Sequence, residues 1–453
     1  MTTNRFEAAL DVDLGDPYLP NVLQRSRGSL PSSYAVSDLA VECFARAGAW
    51  LARYRDGKAA SGTAVAVDRV LASRWFGWSL RPVGWQLPAS WDPIAGDYRC
   101  ADSWIRLHTN APVHRRAALQ ALGLVENADK IAVEAAVKGW AGQALEVAVV
   151  AGGGCAAQLL KPEQWQVHPQ GAAVRAQPLV LHSQYAVEAP ARVVPVNPSR
   201  PLAGIRVLDL TRVLAGPVAG RFLAGYGAQV LRIDPPEWDE PGVVPEVTLG
   251  KRCAGLDLRV AADRQVFAEL LQQCDVLLHG YRPGALATLG FGERWRRECN
   301  PRLVDVSLSA YGWSGPWARR RGFDSLVQMS TGIAWPSEID GRPEPLPVQA
   351  LDHGTGYLMA ASVLRGLTLL REQNIASSSR LSLAGTAGLL VSSQDALDGA
   401  PMPAENASEI APTEEHTEWG LAHRLRFPLQ VGGCEVYWSI PAGSLRRDRP
   451  NWV

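Results

Sequence analysis

The sequence predicts an α/β fold, a parallel sheet covered by helices. Three observations predict it. From residue 205 to residue 371, short runs rich in Val, Ile and Leu alternate with longer stretches of helical period, the pattern of strands joined by helical crossovers. The unit is bracketed by two breaks. Residues 188–201, "EAPARVVPVNPSRP", are Pro-rich and read as an extended linker; residues 399–418 are acidic and poor in apolar groups and read as an exposed loop. Finally, 453 residues with 47% hydrophobic content suffice for a sizeable core and two or more domains.

Taken in order, Ile205–Leu210 is a strand and Pro217–Tyr226 a helix with Pro in its first turn, a favoured position. Gly227 ends that helix and Gln229–Ile233 is the next strand. Val266–Gln273 is helical, and Val276–His279 and Leu303–Ser307 are strands. Val348–Leu351 is a strand leading into a long helix from about Gly356 to Arg371. Residues 39–76 and 358–391 share a plan: an amphipathic helix, a polar break with small residues, an alternating strand, then a second apolar segment. Chance likeness of two helix–strand units and descent from one ancestral half both fit that echo.

The formal net charge is zero, with 45 basic and 45 acidic residues. Nothing points to nucleic acid or a membrane surface. The two short basic clusters, "RWRR" at 294–297 and "ARRR" at 318–321, read as solvated helix ends or loops, or as a phosphate contact. Seven cysteines lie singly, with no Cys-x-x-Cys pair and no Cys/His spacing typical of zinc. Reduced thiols, no metal and a cytoplasmic location are expected. The opening residues lack the basic start and apolar run of a signal peptide, and no apolar stretch nears bilayer-spanning length.

Two constellations invite chemistry. "LTRVLAGPVAGRFLAGYGAQVLRID" is a strand, a Gly-containing turn, a helix and a strand ending in Asp234, but it lacks Gly-x-Gly-x-x-Gly, which argues against a dinucleotide site. Asp352 stands in "VQALDHGTG" at a strand-to-helix junction. A carboxylate there is either a helix N-cap or a nucleophile on a rigid support.

Read in order, "IRVLDLTRVLAGP", "GKRCAGLDL", "YRPGALATLG", "NPRLVDVSLSAYGWSGP", "RGFDSLVQMSTGIA" and "ALDHGTGYLMAASVLRGL" resemble the class III CoA-transferase family, which includes formyl-CoA and carnitine CoA-transferases and 2-methylacyl-CoA racemases. The resemblance implies a Rossmann-like large domain plus a smaller α+β domain. It makes Asp352 the nucleophile and Asp324, in "GFD", a supporting acid. CoA would lie against Leu214 and Ala215, with Lys251 and Arg252 near its phosphates. Tyr281 would stack on the adenine, and Arg321 would approach CoA. Backbone N–H groups from His353 to Gly356 are candidate oxyanion donors.

The implied reaction moves CoA between an acyl-CoA donor and a carboxylic acid through an aspartyl anhydride and an aspartyl–CoA thioester. CoA and acyl-CoA are substrates, with no permanently bound cofactor, and an interlocked homodimer is implied. The racemases of the family use a His in "GHD" where this chain has Phe323, so one of their two acid–base partners is missing. A non-catalytic CoA-binding protein on the same scaffold is the other alternative. The family's glycine-rich lid has no counterpart after Asp352; "AGGGCA" at 151–156 is the Gly cluster of the chain.

Segments resembling the family's small domain, "GDYRCADSWIRLH" and "LEVAVVAGGGCAAQLLKPEQWQVHPQG", precede the nucleophile here, which suggests a permuted order or a fused partial copy. "WGLAHRLRFPLQVGG" resembles the family's closing strands. The expected organisation is an N-terminal small-domain-like region at 1–190, the large α/β domain at 201–395, and a loop with return strands at 396–453.

Overall fold

A computed structural model of the chain describes residues 5–188, 194–338, 341–393 and 400–453. Part of the expected linker (189–193) and the first residue of the expected 399–418 loop lie outside the described residues.

The centre is a seven-stranded, mostly parallel sheet. Its spatial order is Lys251–Gly255, Gln229–Asp234, Arg206–Leu210, Val276–His279, Val304–Ser309, Ile375–Ser382 and Leu181–Ala186. All neighbours pair in parallel except the last, which is antiparallel and comes from the N-terminal region. Successive side chains of a strand point to opposite faces. Val207, Val230, Val276 and Leu278 join one core, and Leu208, Leu231 and Leu277 join a second. The Ala350–Gln373 helix packs in the first core and the Ala261–Gln273 helix in the second, so both faces are covered.

One strand goes unassigned in the sequence analysis and one expectation is corrected. Lys251–Gly255, within "GKRCAGLDL", is the edge strand beside Gln229–Asp234. Val348–Leu351 is not a strand, because the long helix already begins at Ala350 and runs to Gln373. Its apolar run resembles a strand, but it is the amphipathic entry to a helix whose first turn is held from elsewhere in the chain.

The strand order reverses between Arg206–Leu210 and Val276–His279. The chain leaves Arg206–Leu210 to one side for two strands, then returns to its other side. The carboxyl ends of strands at such a reversal open a crevice that favours ligands.

Among the described residues, three smaller sheets lie around this one. Gly96–Arg99, Trp104–Leu107 and Ala156–Gln158 form an antiparallel sheet with the Pro112–Ala121 and Gly142–Ala151 helices and a core of their own. Val22–Arg25, Val65–Asp68 and Leu429–Val431 form another, and Leu80–Pro82, Gly420–Leu425 and Ile410–Thr417 a third. Much of the expected exposed loop is therefore strand: Ile410–Thr417 pairs with Gly420–Leu425, and Glu415 binds Arg424 across it at 2.6 Å. Composition misses this because the stabilising partners are supplied by the neighbouring strand.

The echo between 39–76 and 358–391 corresponds to helix, strand, helix in both places: Val36–Asp56, Val65–Asp68, Arg69–Trp75, and Ala350–Gln373, Ile375–Ser382, Leu383–Ser392. The two long helices pack on each other, with Phe44 against Tyr357 at a ring separation of 3.9 Å. No helix among the described residues is long and apolar enough to cross a membrane.

Lys251 is wholly buried. Its Nζ lies 2.9 Å from Asp209 Oδ2 and donates to the Pro217 carbonyl at 2.9 Å. Gly220 of the Ala215–Gly225 helix sits directly above; a Cβ there would come within 2.8 Å of that Nζ. Asp209 Oδ1 also accepts the Thr211 N–H at 2.9 Å, so the pair fixes the turn that follows the strand. Replacing Lys251 by Met would leave Asp209 charged and unpaired. We expect a loss of about 3–5 kcal/mol, read as a lower urea midpoint at unchanged slope. The double variant Lys251→Met/Asp209→Leu should recover most of it; an unchanged midpoint in the single variant would show that the pair contributes nothing.

Candidate active site

The crevice at the strand reversal is a cleft of about 650 Å³. Leu210 and Arg212 line it from one strand end, Gly280 and Tyr281 from the other, and Ser309 and Ala310 from the next strand. Arg321 and Phe323 enter from the "RRRGFD" segment, and Ala111–His114 from the small N-terminal unit. Asp352 lines its floor, 7% exposed.

Asp352 is the third residue of its helix. The helix N-cap is Gln349, which provides no side-chain cap, so the capping alternative for Asp352 does not apply. The cap comes from a distant residue. Asp324 Oδ2 accepts the N–H groups of Leu351 and Asp352 at 2.8 and 3.0 Å, and Oδ1 accepts from Gln328. An acceptor at this end also meets the positive pole of the helix. Asp324 is fully buried.

The remaining amides of the first turn are occupied too. Ala350 donates to Val348 O at 2.8 Å and His353 to Gln349 O at 3.1 Å. The expected oxyanion donors from His353 to Gly356 are thus corrected: these N–H groups belong to the helix ladder. The glycine at 356 serves packing instead, since a Cβ there would stand 2.3 Å from the Ala215 carbonyl. His353 is a core residue stacked on Phe76 at 5.3 Å, and burial pushes its imidazole down to about 3.

Burial raises the pKa of both carboxyls, and the charge of Asp324 raises Asp352 further. The hydrogen bonds that Asp324 accepts favour its ionised form. Asp352 is therefore the carboxyl of the pair that holds a proton to higher pH.

The structure brings together four of the residues expected from sequence, Ala215, Tyr281, Arg321 and Asp352, as lining of one cleft. Leu214 is buried in the core beside Ala215 and Asp324 lies beneath Asp352; neither lines the cleft. The expected phosphate position of Lys251 is corrected by its burial in the ion pair with Asp209. Arg252 is corrected as well: its guanidinium donates to the Asn451 and Arg449 carbonyls of the C-terminal segment. Both bases lie on the strand paired at the sheet edge.

Sequence reading missed several cleft residues. Arg212 donates to the Tyr281 hydroxyl at 3.1 Å and lies 4.9 Å over the Trp238 ring. Arg282 and Arg320 also line the cleft; Arg320 is tied to Glu146 at 2.8 Å. The "ARRR" cluster therefore faces the cleft in part, whereas Arg296 of "RWRR" is buried against Asp305. Val213, at φ 64°, holds a left-handed backbone that β-branched residues rarely adopt, and its N–H donates to Glu240 at 2.8 Å. That strain gives no signal in the sequence. Among the described residues no group of His, Cys, Asp and Glu could hold a metal.

A buried acid beneath arginines, at the crevice of a reversing parallel sheet, is an arrangement suited to acyl transfer with an anionic carrier. Residues 202–417 match the model of CoA-transferase family III. A probable fatty acyl-CoA transferase of Mycobacterium tuberculosis is 36% identical over 39% of this chain and 49% of its own length. The acetyl-CoA:oxalate CoA-transferase of Acetobacter aceti is 34% identical over 33% of this chain and 42% of its own. A solved structure of a CAIB/BAIF family protein from Brucella suis aligns at 26% identity over 49% of this chain and 65% of its own, with a TM-score of 0.40. The chain spans about half the length of the first curated relatives it matches.

Gly356→Ala would press a methyl against the Ala215 carbonyl and part the Asp352 helix from the cleft turn. We expect a cost of about 1–3 kcal/mol, read by urea unfolding. A variant as stable as the parent would show that this close approach is not a constraint.

Proposed function

We propose that the protein is a CoA-transferase that moves CoA from an acyl-CoA donor to a carboxylic acid, with Asp352 as the nucleophile. The observation that carries this reading is the placement of Asp352 on the floor of the 650 Å³ cleft that Ala215, Tyr281 and Arg321 also line. Arg212, Arg282 and Arg321 give the cleft the positive charge that suits the phosphates of CoA, and Tyr281 offers a ring for adenine.

In the proposed reaction, an Asp352 oxygen attacks the thioester carbonyl, the C–S bond breaks and CoA leaves as the thiolate. The thiolate attacks the aspartyl carbonyl of the mixed anhydride and releases the donor's carboxylate, leaving an enzyme–CoA thioester. The acceptor carboxylate then attacks that thioester to form a second anhydride and free thiolate. Attack of the thiolate on the acceptor's carbonyl gives the new acyl-CoA and restores Asp352. Only the ionised carboxyl can begin the sequence. The raised pKa of Asp352 favours a protonated resting acid, whose proton must leave before attack.

The α-proton reading finds little support. Phe323 stands at the position of the racemase base, and the His108 ring lies flat against it at 3.7 Å.

Hydroxylamine trapping with mass spectrometry, after incubation with an acyl-CoA, should place a hydroxamate on Asp352, and Asp352→Asn should abolish both trapping and transfer. Transfer that survives in Asp352→Asn would refute the nucleophile. Deuterium at the acyl α-carbon without transfer of CoA would replace the proposal with the α-proton reading. A second outcome concerns pH. Asp324→Asn removes the neighbouring negative charge while keeping an oxygen acceptor for the helix amides. The pKa of Asp352 should fall, so the acid limb of the rate profile should move to lower pH by about one unit or more. An unmoved limb would mean that the two carboxyls do not interact.

A further inference from the structure

Beside the cleft is a smaller recess of about 190 Å³. His114, Val213, Trp238 and Phe323 line both, so the two spaces share a wall. The recess exists because the N-terminal unit stands against the cleft, contributing Trp91, His108 and Asn110.

Its polar groups are nearly all engaged. Asp92 binds Arg115 at 2.9 Å and Thr109 at 2.7 Å. Asn110 donates to Ser90 O at 2.8 Å and accepts from the Asp92 N–H at 3.1 Å. Glu240 accepts from Arg232, the Val213 N–H and the Trp238 indole. Two buried exceptions are His108 and His114. Each is 5% exposed, and each has a buried Nδ1 without a hydrogen-bond partner. Leaving such an atom unpaired is costly, so a polar partner is expected there when the site is filled. Burial keeps both imidazoles neutral; His114 is pushed down to about 4.

Among the described residues, the recess lining holds three carboxylates, Asp92, Asp239 and Glu240, and no lysine or arginine. A second carboxylate brought in by a ligand would meet acids and neutral imidazoles, with no cation in the lining to pair it. The walls are the flat rings of Trp91, Trp238 and Phe323.

We propose that this recess is the acyl-group site, and that it selects compact, uncharged acyl groups bearing a hydroxyl over dicarboxylic ones. The inference rests on the CoA-transferase reading of the adjoining cleft. Its logic is that of a pocket built to hydrogen-bond a substrate group: the analogue without that group leaves the pocket's own polar atoms unpaired.

Three thioesters with four-carbon acyl groups test it: 3-hydroxybutyryl-CoA, butyryl-CoA and succinyl-CoA. Calorimetric titration of the full-length Asp352→Asn protein reads binding without turnover. The expected order is 3-hydroxybutyryl-CoA tightest, then butyryl-CoA, with succinyl-CoA at least about tenfold weaker than the first. Succinyl-CoA binding as tightly as 3-hydroxybutyryl-CoA, or no binding of any of the three, would overturn the assignment. In the same protein, His114→Leu should reduce the preference for 3-hydroxybutyryl-CoA over butyryl-CoA severalfold; an unchanged ratio would remove His114 from the site. Covalent labelling of Asp352 in the parent protein is a separate readout. The expected binding order without labelling would defeat the transferase reading and leave the recess assignment standing, whereas labelling with the wrong order would do the reverse.

Discussion

The site depends on one carboxylate that does not face the cleft. Asp324 takes two amides of the Asp352 helix in its Oδ2, and so ties the "GFD" segment to the start of that helix. A buried helix end with open amides would be costly. Satisfying it with an acid brings a second negative group beneath the one exposed to the cleft. One interaction thus fixes the position of Asp352 and adds to the burial that raises its pKa.

The sheet supplies the rest of the geometry. A reversal in strand order opens a crevice at the carboxyl ends, and the residues just past Leu210 and His279 become its walls. The turn after Leu210 is held from below by the buried Asp209–Lys251 pair and from the side by Glu240, which takes the amide of the strained Val213. Lys251 thus supports the wall rather than meeting a phosphate. An ion pair in the interior is weak evidence for stability by itself. Here it also joins two strands and a helix at the one place where the backbone turns toward the cleft.

The N-terminal region completes the molecule in three ways. It supplies the antiparallel seventh strand, it packs the Val36–Asp56 helix on the Asp352 helix, and it brings Ala111–His114 to the mouth of the cleft. The last of these creates the side recess, where flat rings, neutral imidazoles and carboxylates take the place of the arginines nearby.

Much of the central unit was legible in the sequence, because the strands at 206–210, 229–234, 276–279 and 304–309 are rich in Val, Leu and Ile and largely buried on both faces. The acid at 352 was legible as well, through its neighbours in the chain. Lys251–Gly255 went unassigned and Ile410–Thr417 was read as loop because a polar or acidic strand owes its state to the strand beside it. The amino-acid sequence alone determined the alternating α/β pattern, the Asp324 and Asp352 acids and the phenylalanine at 323, since each is a matter of residue type and local period. Tertiary structure decided which bases reach the cleft, which are spent inside the sheet, and that His108 and His114 stand across from Phe323. Those outcomes follow from burial and from contacts between segments far apart in the chain, which no local pattern encodes.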